Sequence, residues 1–161
     1  MERFEARVTP SLLDRLTDYQ PNVPSENPLS RTQALRALKS SLWRDLSNLL
    51  NTKRMEEEVP GEFTEANESL LTYGLPDFSS FSLKNPTDQH RLRRAIEITL
   101  RRFEKRLEKI TVIFDPPDDL DSALHFRVDA YLRIDPAPEP ISFETLLQPS
   151  NYQFVVVGDE R

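Results

Sequence analysis

The 161-residue chain contains no cysteine. That removes thiolate nucleophiles, iron–sulfur clusters, most zinc sites and a secreted disulfide framework at once. Glycine is almost as rare, at three residues, so a glycine-rich phosphate cradle has nothing to be built from. No apolar run approaches the roughly 18 residues of a membrane helix, and the N-terminal MERFEARV has none of the features of a signal peptide. The formal net charge of −6 is the wrong balance for a binder of phosphate backbones. The expectation is a soluble, cytoplasmic protein with no membrane insertion and no nucleic-acid partner. A chain of this length buries roughly 70% of its unfolded surface and needs no metal or disulfide staple.

Proline, with 13 residues, punctuates what remains. Residues 1–29 read as an arm. Thr9 can cap a short helix with Pro10 in its first turn, Leu12, Leu13 and Leu16 form a small apolar face, and Pro21, Pro24 and Pro28 prevent regular structure after it. Three leucines make no core, so the arm docks either on its own chain or on a partner. Residues 30–161 read as a single α+β domain, with N-terminal helices packed on a small, mainly antiparallel C-terminal sheet. Ser30 and Gln33 form a capping box. Leu35, Leu38, Leu42, Leu46 and Leu49 then recur at helical spacing, widened by Trp43 and Leu50, until Asn51. The acidic Glu56-Glu57-Glu58 with Pro60-Gly61 reads as a loop.

A second short helix is expected to carry Leu70 and Leu71 on its buried face and to stop at Tyr73-Gly74-Leu75-Pro76. There Gly74 supplies a left-handed residue and Leu75 folds back on the core. Asn85-Pro86-Thr87-Asp88 starts a third helix, whose stripe is Leu92, Ala95, Ile96, Leu100, Phe103 and Leu107. Alternation then replaces the helical period. Ile110, Val112 and Phe114 give one strand, and Leu124 to Ile134 the longest one, with DPPDDLDS as the turn between them. ISFETLL is expected to give a short further element. Tyr152, Phe154 and Val156 mark a last strand.

Candidate chemistry is sparse. Glycoside hydrolysis needs two carboxyls roughly 5 to 9.5 Å apart, one with a raised pKa. Glu97 and Glu104 share a flank of the third helix but lie about 10 Å apart in rise, among arginines that lower rather than raise carboxyl pKa values. His90, in a helix first turn, and His125, on the outward side of a strand, have no nucleophile motif beside them. The acidic turn with Asp115, Asp118, Asp119 and Asp121 lacks the glycine and terminal glutamate of a calcium loop. No catalytic residue, metal or cofactor is expected.

Charge is most uneven from Arg91 to Lys109, where eight Lys/Arg face three Glu, a local balance of +5 that leaves −11 for the remainder. The stretch is either a solvated face or a patch for an acidic protein partner. Within it, Arg106 falls on the helical wheel among Phe103, Leu107 and Ile96. Either the helix ends near Phe103–Glu104 and frees Arg106 to turn outward, or a guanidinium is held half-buried and requires a carboxylate such as Glu104 or one from another subunit. The β-rich run Asn151 to Val157 is either an internal strand or an open edge that invites another chain to pair.

Several motifs in order resemble a known family: SLLDRL, RDLSNLLNTK, YGLPDFSS, RLRRAIEITLRRFEKRL and FRVDAYLRIDPAPEPISFETLL. Together they resemble TssE, the baseplate wedge subunit of bacterial type VI secretion systems, which is similar to the small, often lysozyme-labelled wedge protein of contractile phage tails. The resemblance implies a structural, non-enzymatic role, with the TssF and TssG wedge subunits and the sheath subunits as partners. It also implies a Glu-Pro-Arg signature at the third helix's end, matched here by Glu104, Lys105 and Arg106 with lysine in place of proline. The residues expected to meet partners are therefore Glu104, Lys105, Arg106, Arg101, Arg102, Tyr152, Phe154 and Val156. The alternative from another class is a peptidoglycan hydrolase.

Overall fold

The computed structural model describes residues 11–17, 29–55, 59–116 and 123–158. Several expectations lie outside these: Thr9 and Pro10, the prolines 21, 24 and 28, the Glu56–Glu58 run, and Asp118, Asp119 and Asp121 of the acidic turn.

Ser11, rather than Thr9, caps the first described helix α1 (Leu12–Leu16), its side chain accepting from the Asp14 amide. The three leucines of α1 point to solvent, each more than 60% exposed. Helix α2 (Arg31–Asn51) begins at the expected capping box, with the Ser30 hydroxyl and Gln33 side chain each accepting from the other's backbone N–H. Its buried face is Ala34, Leu38, Leu42, Leu46, Leu49 and Leu50, with Leu35 and Trp43 packed at the margin.

The second expected helix is smaller than its pattern suggested. Four residues of α3 (Thr64–Asn67) and a single 3₁₀ turn (Leu70–Thr72) replace it. Leu70 is 86% exposed and Leu71 is also exposed. A 3₁₀ turn that short has no continuous stripe to bury. Gly74 is left-handed, at φ +100°. A Cβ there would lie 2.2 Å from the Thr52 carbonyl oxygen, because Lys53 and Leu75 form a parallel bridge that draws the two backbones together. Leu75 is buried as expected.

Helix α4 (Pro86–Phe103) has Asn85 as its cap and Pro86 in its first turn. Leu92, Ile96 and Leu100 are buried. Leu107 is not on this helix. It opens strand β1 (Leu107–Phe114), followed by β2 (Leu124–Leu132), β3 (Glu139–Gln148) and β4 (Gln153–Gly158). The four form one antiparallel sheet in the order β1-β2-β3-β4. The element expected from ISFETLL is thus a full ten-residue inner strand. Tyr152 is left-handed, at φ 54°, and sits in the turn before β4.

Leu124, Phe126, Val128, Ala130 and Leu132 on β2 and Ile141, Phe143 and Leu147 on β3 face α2 and α4 in one core. The opposite face of the sheet is open to solvent. Helix α4 packs beside β1, and α2 packs beside β4.

Candidate functional site

Glu104 caps the C-terminus of helix α4, its N–H donating to Leu100 O at 2.9 Å. A carboxylate at this end of a helix meets the negative pole of the helix dipole, and this one is nine-tenths buried. Its neighbours satisfy it. Glu104 Oε1 accepts from Arg106 N at 3.0 Å and Arg106 Nε at 2.7 Å, and Oε2 accepts from Arg106 Nη2 at 2.5 Å. The same Nη2 donates to Asp45 Oδ2 at 2.8 Å, and Nη1 donates to Ser41 Oγ at 3.4 Å, both partners lying on α2. Arg106 therefore unites the two possibilities left by the wheel: the helix does end at Phe103, and the guanidinium turns inward to a half-buried site, 26% exposed. Hydrogen bonds to Glu104 push its pKa further above the ordinary arginine range, against desolvation, with Asp45 adding to the rise.

This cluster also explains how the chain reverses without a proline. Leu107 N donates to Glu104 O, and Glu104's side chain holds Arg106 N, so two bonds to one residue fix the turn. Lys105 is then left at the tip, exposed, with Nζ 3.8 Å from the Glu68 carboxylate. Tyr73 packs edge-on to Phe103 at 5.2 Å beside the cluster. Burial raises its phenol pKa, and the negative charges of Asp45 and Glu104 raise it further.

The sheet's two edges are each guarded by side chains from the neighbouring helix. On β1, Val112 N–H donates to Glu97 Oε1 at 3.2 Å and Ile110 C=O accepts from Arg101 Nη2 at 3.0 Å, with the Glu97 and Arg101 side chains 3.7 Å apart. On β4, Asn51 takes both backbone groups of Phe154: the N–H donates to Asn51 Oδ1 at 2.8 Å, and Asn51 Nδ2 donates to the C=O at 2.9 Å. Guarded edges are how sheets avoid unplanned pairing.

Of the eight residues singled out from sequence, the structure joins Glu104 and Arg106 in one cluster, with Lys105 at its tip. Arg101 faces the β1 edge. Arg102 is half-buried in the last turn of α4, where positive charge suits the helix dipole. Tyr152, Phe154 and Val156 lie at the other end of the sheet, Tyr152 donating through its hydroxyl to Ser79 O at 3.0 Å. Asp45, Ser41 and Asn51 were missed. Asp45 sits on α2 beside the leucine stripe, and only the requirement of a buried arginine for a second carboxylate pointed to it. Asn51 carried the weaker signal of marking where the stripe ends.

Elsewhere, a cleft of 210 Å³ opens between the end of α2 and the turn before β4, lined by residues including Asn51, Lys53, Asp77 and Tyr152. Its carboxylate, Asp77, is ion-paired to Lys53 at 2.6 Å. That hydrogen bond, with a backbone bond from Ser79, holds the carboxyl well below the usual range. A general acid of a glycosidase needs the opposite shift. Among the described residues no group of three or more His, Asp or Glu side chains is placed to hold a metal, and no helix is long and apolar enough to cross a membrane.

The described residues thus form a four-stranded antiparallel sheet with two helices on one face, edge groups bonded by helix side chains, and an ion-paired corner. The family model of baseplate wedge protein gp25 matches residues 36–137, from early α2 to the turn before β3. This match spans more than half of the chain, and the chain belongs to that family. No curated protein matches it. Among solved structures, a chain of "The baseplate complex from the type VI secretion system" is 18% identical, with a TM-score of 0.46, over 70% of this chain and 96% of that one.

Proposed function

We propose that this baseplate wedge protein is a non-enzymatic, cytoplasmic component of a type VI secretion baseplate, joining wedge subunits and seeding the contractile sheath. The observation that carries it is the Glu104–Arg106–Asp45 cluster, which fixes a charged turn at the position where the motif resemblance places the family's signature. Glu104 is too buried and too fully bonded to meet a partner itself. It holds Arg106 in place, and the pair sets the shape of the corner. Lys105 and Arg101, both exposed, with Arg102 beside them, offer positive charge to an acidic surface of a TssF or TssG homologue. The β4 edge at the far end, where Asn51 occupies the backbone groups of Phe154 alone, offers its other outward groups to a sheath subunit by strand addition.

Co-purification with TssF and TssG homologues tests the first contact. Arg101→Glu with Lys105→Glu reverses the exposed charge without touching the buried cluster, and is expected to abolish recovery of the complex at physiological salt. Full recovery overturns the corner as the contact. The hydrolase alternative predicts clearing of purified cell-wall sacculi by the isolated chain, and no observation here favours it.

A further inference from the structure

We propose that the outer face of α4 is a docking strip for an acidic segment of a neighbouring wedge subunit, with Ile98 as its apolar centre. The inference rests on the charged-corner reading above and carries it along the whole helix. The inner side of α4 buries Leu92, Ile96 and Leu100. Opposite them, at steps of three and four, stand Arg91, Arg94, Ile98 and Arg101, and Lys105 continues the line at the tip of the turn. The helical part of this strip, Arg91 to Arg101, is about 15 Å long. Its one apolar side chain, Ile98, is 45% exposed and has a cation one turn away on either side.

An exposed helix face ordinarily mixes both signs, with carboxylates one turn from Lys or Arg. Here the carboxylates are turned aside. Asp88 accepts from Ser82 N at 3.0 Å and Glu97 from Val112 N at 3.2 Å. Their side chains are 18% and 22% exposed, against 66% for Arg91 and 59% for Arg101. The pairs they make with those arginines are loose, at 3.8 Å and 3.7 Å, as is Lys105 with Glu68 at 3.8 Å. Exposed pairs of this kind contribute little, so a partner's carboxylates can replace them at small cost. Among the described residues, no hydrogen bond or ion pair engages Arg94 or its half-buried neighbour Arg102.

Charge complementarity requires carboxylates on the occupant, and Ile98 decides what carries them. An apolar centre inside a polar rim is the layout of a protein contact. A phosphate backbone has nothing apolar to set against Ile98, and the strip has no aromatic side chain on which a base could stack. Two copies of the chain meeting through this face would set arginine against arginine. The occupant is therefore a segment of a different protein, with Asp or Glu on both sides of one aliphatic side chain.

A benzophenone photo-crosslinking residue in place of Ile98 tests this in the full chain, assembled with the same purified TssF and TssG homologues. The captured peptide, sequenced by mass spectrometry, is expected to be rich in Asp and Glu around an aliphatic residue. In parallel, Arg91→Glu with Arg94→Glu is expected to lower recovery of the complex at least ten-fold at physiological salt. Ile98→Ala is expected to lower it several-fold, with the urea-denaturation midpoint unchanged in both variants. No capture, capture of a neutral or basic peptide, or undiminished recovery with either variant overturns the strip. Loss of the complex in Arg101→Glu with Lys105→Glu would then leave the corner standing alone, whereas full recovery there removes corner and strip together. A cross-linked homodimer assigns the face to a second copy. Retention of duplex DNA that Arg91→Glu with Arg94→Glu abolishes assigns it to nucleic acid, and either result overturns the proposal.

Discussion

Arg106 touches three partners from two helices, and Glu104 has hardly any contact with water. A pair of this kind contributes little net stability compared with a well-packed apolar pair, because taking both charges out of water offsets most of their attraction. Removing one member is a different matter, since the other is left buried and uncompensated. Arg106→Ala is therefore expected to lower unfolding stability by about 3–5 kcal/mol, read as a shift in the midpoint of urea denaturation. Arg106→Lys recovers only part of this, because an ammonium cannot reach Glu104, Asp45 and Ser41 from one planar fork. A loss of under 1 kcal/mol in Arg106→Ala would show that the turn is held by its backbone bonds alone. The sequence exposed this residue through its misplaced position on a helical wheel. It hid Asp45, because a carboxylate one step off an apolar stripe looks like ordinary surface until something buried needs it.

The elements were legible where a cap and a long period agreed. Ser30 with Gln33, and Asn85 with Pro86, mark helix starts by satisfying orphan N–H groups, and the stripes behind them are long enough to fix a face. Leu124 to Leu132 alternates over nine residues and could be nothing but a half-buried strand. The failures came where the local signal was short. Leu70-Leu71 looked like a buried face, but Gly74 must approach Thr52 so closely that the bridge of Lys53 to Leu75, a long-range contact, decides which leucine enters the core. ISFETLL was underestimated because prolines at 136, 138 and 140 crowd its start, whereas the strand is made by its register with β2. The contrast is measurable: Leu75→Ala is expected to cost about 2–5 kcal/mol and Leu70→Ala to stay within about 0.5 kcal/mol, both by chemical denaturation. Comparable losses in the two variants would mean that the 3₁₀ turn packs against the core in solution.

At the scale of the whole molecule, the features split into those that hold the fold and those that face outward. The core closes between α2, α4 and the sheet without using α1. Among the described residues α1 meets α2 through Asp14, which hydrogen-bonds Ser41 and whose Oδ1 is ion-paired to Arg44 Nη2 at 2.8 Å, with the Arg44 side chain 42% exposed. The Asp14 carboxyl is held low first by the Ser11 hydroxyl and then by Arg44, so much of its favourable setting is internal to α1. Exposed pairs contribute about 0–1 kcal/mol, while the leucines at 12, 13 and 16 gain nothing from water. The described helix of the arm shows an apolar face to solvent, and we propose a partner surface as its use. Deleting residues 1–29 is accordingly expected to leave the unfolding free energy of the remaining domain within about 1 kcal/mol of the full chain and to reduce recovery of the baseplate complex at least several-fold. Loss of cooperative unfolding in the truncated chain would show instead that the arm docks on its own domain. Unchanged recovery of the complex would remove it from the list of contacts, leaving the charged corner and the β4 edge to carry the assembly.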